Sequence, residues 1–168
     1  MKYSIKDVNS NIKIIGLYQI IGGILGVGLT ARIMLHTSDI GGALMMIFLA
    51  ALFLFYHTIK AGIVILQKSR RKEGVLYSMI MQGFQIIGIG IGKYSYEFFS
   101  GAKLTIGFSS GEGSLIEFGA ALSGFNFSIN SGEPEYFLYF NILAIVILYV
   151  LTRIYRALES VTKEIEVE

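Results

Sequence analysis

Val75-Leu76-Tyr77-Ser78-Met79-Ile80-Met81-Gln82-Gly83-Phe84-Gln85-Ile86-Ile87-Gly88-Ile89-Gly90-Ile91-Gly92 is an unbroken stretch of 18 residues without a charge. At the helical rise of about 1.5 Å per residue it reaches nearly across a hydrocarbon layer of about 30 Å, so it reads as a membrane-spanning helix. Three further stretches have the same character: 14–31, 41–59 with the helix continuing to 67, and 136–152. Together they predict an all-α membrane protein, a four-transmembrane-helix antiparallel bundle making one integral domain over 1–168.

Composition agrees. The chain has 168 residues, 54% of them hydrophobic and only 15% charged, an apolar excess beyond ordinary soluble domains. A formal charge of +2 is too small for a nucleic-acid surface, so membrane lipid is the expected partner. With no cysteine and two histidines, thiolate, iron–sulfur and ordinary zinc chemistry have no ligands, and no cofactor is expected. The first apolar stretch reads as a retained span, since Leu29-Thr30-Ala31-Arg32 offers no small-residue cleavage signal.

Lysine and arginine set the expected orientation. Lys2, Lys6, Lys13, Lys60, Lys68, Arg70, Arg71, Lys72, Arg153, Arg156 and Lys163 fall on one side of the four spans, against Arg32, Lys93 and Lys103 on the other. Both termini are therefore expected in the cytoplasm, in a bacterial inner membrane, with Lys68, Arg70, Arg71 and Lys72 as the cytoplasmic anchor. Residues 153–168 space Ile154, Leu158, Val161 and Ile165 as one stripe of an amphipathic cytoplasmic helix.

Residues 93–135 form the one substantial polar segment, an outer loop between helices 3 and 4. Leu104, Ile106 and Phe108 alternate with small or polar residues; so do Ile116, Phe118, Ala120 and Leu122, and then Phe125, Phe127 and Ile129. Period two, punctuated by Ser110–Gly113 and Ser123-Gly124, predicts a small three-stranded antiparallel β meander resting as a cap on the outer helix ends.

Two spans carry polar and small residues on one side. On a helical wheel Gly16, Gln19, Gly22, Gly23, Gly26 and Thr30 share a sector, as do Ser78, Gln82, Gln85, Gly88 and Gly92. Gly22 with Gly26, and Gly88 with Gly92, make small-xxx-small pairs for close helix packing. Gln19, Gln82 and Gln85, with His57 and Lys60 on span two, are the candidate lining of a polar cavity.

No catalytic constellation is visible. The spans hold no Asp or Glu to serve as acid or base, and Gly26-Val27-Gly28-Leu29-Thr30-Ala31 lies inside a span rather than between a strand and a helix. The expectation is a polytopic, non-catalytic structural, accessory or assembly component, as a homo-oligomer or with a membrane-protein partner. The alternatives are a small oligomeric transporter or channel using the polar face of helices 1–3, and a protein binding lipid or an apolar ligand under the β cap.

Overall fold

The computed structural model describes residues 5–110, 117–129 and 135–165. Helices α1 (Ile5–His36) and α2 (Gly42–Leu66) form an antiparallel hairpin, followed by one 3-10 turn at Lys68–Arg70 and a shorter helix α3 (Arg71–Gly83). The chain then becomes extended: β1 (Ile87–Gly92), β2 (Tyr94–Ser109), β3 (Glu117–Ile129) and β4 (Glu135–Asn141) lead into α4 (Ile142–Ile165).

The four-helix transmembrane bundle is thereby corrected. Among the described residues two helices, over Asp7–His36 and Gly42–Leu66, are long and apolar enough to cross a membrane. The expected third span splits into α3 and β1, and the expected fourth into β4 and α4. Strict Ile-Gly alternation over Ile87–Gly92 gives a strand with β-branched side chains on one face and none on the other, a pattern a helix cannot use. Gly88 and Gly92 accordingly lie in β1 and form no helix-packing pair.

The three-stranded meander is corrected as well. The sheet has four antiparallel strands in the order β1-β4-β2-β3, with β1 also pairing β2, so β1, β2 and β4 close on one another. The two segments expected on either side of Ser123-Gly124 are one strand, β3, and β2 begins at Tyr94 rather than near Lys103. The Ser110–Gly113 turn falls largely outside the described residues. Gly92, at φ 62°, opens a two-residue hairpin between β1 and β2, where glycine meets the left-handed backbone at no steric cost.

Nor does the sheet cap the helix ends. It packs against the middle of α1, where a methyl group placed on Gly22 would meet the Gly101 backbone at 2.3 Å. Beside it, Phe98 of β2 stands against Phe55 of α2 with ring centroids 5.3 Å apart. Phe55, Ala51, Ala61, Met81 and Phe98 form this core. A second core, at the other end of the hairpin, joins Val8, Ile12 and Ile15 of α1, Ile65 of α2, Val75 of α3 and Ile147, Leu151 and Ile154 of α4. One half of the molecule is thus four packed helices, and the other is the α1–α2 hairpin with a sheet beside it.

Candidate functional site

The polar residues of α1 and α3 meet at the junction of these halves. Gln19, Ser78 and Gln82 are fully buried and Gln85 nearly so. Ser78 and Gln82 stand one turn apart on α3, and Ser78 Oγ donates to Gln19 Oε1 at 2.9 Å. Just past the helix end, Gln85 Nε2 donates to the Met81 carbonyl at 3.2 Å, while its Oε1 accepts the Ser100 backbone N–H at 2.8 Å. This last bond fastens α3 to the bulge in β2, where the register slips between Phe99 and Ala102.

Across the bulge, Ser123 Oγ accepts the Gly101 N–H at 2.8 Å and donates to the Gly22 carbonyl at 2.9 Å. Tyr18 O–H donates to the Ala102 carbonyl at 2.7 Å. Both strands are irregular here: Gly101 has φ 87° and Ser123 has φ 34°. Four buried atoms of the cluster, Gln19 Nε2, Gln82 Nε2, Gln82 Oε1 and Ser100 Oγ, have no hydrogen-bond partner among the described residues.

The structure therefore brings Gln19, Gln82 and Gln85 together with Ser78 and Ser100, and leaves His57 and Lys60 outside the group. His57 Nδ1 hydrogen-bonds the Tyr77 hydroxyl, and Lys60 is exposed. Gly26 abuts the Phe55 ring of α2, whereas Gly22 faces the sheet rather than a helix. Among the described residues, the hydroxyl of Ser78 bonds Gln19 and that of Ser123 bonds backbone groups of Gly22 and Gly101. Among the described residues no three His, Asp or Glu side chains are grouped to hold a metal ion.

At the basic turn, Arg70 forks onto Glu73 at 2.5 and 2.9 Å, both fully exposed, and the pair raises the Arg70 pKa while lowering that of Glu73. Arg71 Nη1 donates to Asn9 Oδ1 at 2.8 Å, and the Lys72 ammonium stands 5.5 Å from the Tyr155 ring centre. Lys68 is exposed.

Sequence reasoning missed Ser100, Ser123 and Asn141, and the ion pair of Lys103 with Glu97 at 2.5 Å. Ser-Gly pairs at 100–101 and 123–124 were the available signal, since such dipeptides mark bulges as well as strand ends. Between α2 and the sheet runs an apolar groove of about 490 Å3, lined by Met46, Ala50, Phe53, Tyr96, Phe125 and Phe127 among others. No known family, curated protein or solved structure matches the chain.

Proposed function

We propose that the protein is a non-catalytic membrane component whose α1–α2 hairpin crosses the bilayer, with the Lys68–Lys72 turn and both terminal segments on the cytoplasmic side. One observation carries this reading: only 39% and 22% of the two apolar helical windows is buried within the fold. A core helix of a water-soluble domain is covered nearly all round, whereas here Ile14, Ile21 and Ile33 of α1 and Met46, Leu49 and Phe53 of α2 all face outward. Basic residues at the turn after α2 support the orientation.

The α2–sheet groove favours lipid or apolar-ligand binding as the form this role takes, because its volume lies in the range of small-molecule sites and its lining is almost wholly apolar. Gln19 and Gln85 are hydrogen-bonded within a packed junction and Gln82 is fully buried there, so a conducting pore has less support. Membranes washed with alkaline carbonate test the main reading: the full chain stays in the pellet until detergent is added. Release without detergent overturns it. Tags before α1 and at residue 69 accessible only from the cytoplasmic face fit the orientation, and opposite accessibility overturns it. Native mass spectrometry then reads a retained lipid, whose loss on Phe125→Ala with Phe127→Ala places it in the groove.

A further inference from the structure

Strand registers align Ile87, Phe140, Ile106 and Phe118 in one row across all four strands, and Ile89, Leu138 and Phe108 in the next. These side chains, with Leu104, Leu122 and Tyr136, share a single face of the sheet that bears no charge, and much of it is open: Phe118 is 77% exposed and Leu122 66%. The opposite face is mixed, with two aromatic rings packed over glycines among polar side chains. It carries Thr105 and Asn141, and glycines 90 and 107, whose missing side chains make room for the rings of Phe137 and Tyr139. The Glu97–Lys103 ion pair, only 18% and 13% exposed, lies near it, with Glu97 against Gly88.

A sheet with one face in water alternates apolar-in with polar-out, whereas this one turns an uncharged apolar face outward, as membrane-embedded sheets do. We propose that this outer face is in contact with lipid hydrocarbon, so that the β module lies within the bilayer beside the hairpin. The proposal rests on the hairpin crossing the membrane. Given that, depth follows from geometry: Gly101 and Ser123 are fixed to Gly22, which sits between the outward-facing Ile14 and Leu35 of α1. Lipid is the occupant favoured over a protein because the face bears no charge and is held at the depth of the outward-facing apolar side chains of α1. Backbone groups are met by closure of β1, β2 and β4 on one another, which is what hydrocarbon demands. β3 keeps one outer edge without a ladder partner among the described residues, and this is the costly part of the arrangement.

The chain has no tryptophan, so single tryptophans report without background. Phe108→Trp and Phe118→Trp sample the sheet face, Leu122→Trp repeats the measurement should either fail to fold, and Leu49→Trp samples the hairpin. Each full-length variant is reconstituted in phosphatidylcholine vesicles with brominated acyl chains. Lipid contact gives blue-shifted emission that is lost to bromine at the sheet positions as fully as at Leu49→Trp. Quenching at Leu49→Trp alone, with the sheet tryptophans open to aqueous iodide, overturns the proposal and spares the hairpin. Sheet tryptophans shielded from both quenchers mean a protein cover, a second copy or another chain, and also overturn it. No bromine quenching at any position overturns the membrane reading itself.

Discussion

The backbone N–H of Asn141 donates to the carbonyl of Ile86 at 2.8 Å, and so joins the two points where the chain changes between helix and strand. On one side α3 has ended at Gly83 and β1 is about to begin; on the other β4 ends and α4 starts. Asn141 serves both. Its Oδ1 accepts the Ala144 N–H at 3.4 Å, the N-cap position of α4, and the Leu104 N–H at 3.3 Å. Asn141→Ala is therefore expected to cost about 1–2 kcal/mol, read as a lower melting temperature in detergent by circular dichroism. Asn141→Ser keeps an oxygen at the cap and recovers part of the loss. An unchanged melting point for the alanine variant would show that the cap carries nothing.

This junction also explains what could be read from the sequence. Hydropathy finds apolar stretches of the right length and is blind to period, so Val75–Gly92 counted as one span although its last six residues alternate Ile with Gly. Attention to period would have found β1. It would not have found β4, where Tyr136-Phe137-Leu138-Tyr139-Phe140 is bulky at every position because both faces of the strand carry large side chains, Phe137 and Tyr139 over Gly90 and Gly107 and the others on the outer face. The hairpin was legible because α1 and α2 each carry a long apolar stretch. Gln19 was legible in a polar sector of one helix and Gln82 with Gln85 in another, but the contacts that β2 and β3 make with them and with Gly22 were not, since nothing local tells Ser100 or Ser123 which helix it will meet.

Close approach at the helix–sheet contact gives a sharper contrast among glycines. A methyl on Gly22 would strike the Gly101 backbone at 2.3 Å, whereas one on Gly28 meets nothing within 4 Å. Gly22→Ala forces α1 and β2 apart at an expected cost of about 1–3 kcal/mol, and Gly101→Ala adds left-handed backbone strain. Gly28→Ala should be neutral or stabilising by up to about 1 kcal/mol through helix propensity. Equal melting shifts for Gly22→Ala and Gly28→Ala would refute the contact.

Within the polar junction the glutamines are not equivalent. Gln85→Leu strips the buried Ser100 N–H of its acceptor and should cost about 1–3 kcal/mol. Gln82→Leu removes two amide atoms that have no partner among the described residues, and replaces them with apolar volume at little cost or a gain. If Gln82→Leu proves as damaging as Gln85→Leu, the Gln82 amide is held by something other than this chain.

The exposed Arg70–Glu73 pair fixes the sign of one pH effect. Glu73 has its pKa lowered by Arg70, so whatever the pair contributes is present above the ordinary glutamate range and is lost as pH falls through the lowered value. Full exposure keeps the effect small. Glu73→Gln should leave the melting temperature at pH 7 nearly unchanged; a large drop would mean that the turn is anchored through this pair.

Charge placed on the outer sheet face separates immersion from exposure to water. Ile106 lies in the row that crosses all four strands, with Phe140 on one side and Phe118 on the other. On a lipid-facing strand, lysine near the midplane costs about 2–4 kcal/mol, falling toward zero near the interface. Ile106→Lys should therefore lower the melting temperature in reconstituted bilayers about as much as Leu49→Lys does on α2. A sheet bathed in water would scarcely respond, since replacing an exposed isoleucine with lysine there leaves the fold within about 0.5 kcal/mol of where it was. Phe118→Lys, one strand further along the same row, should follow Ile106→Lys if the bilayer covers the whole face, and should be tolerated if lipid reaches only as far as β2.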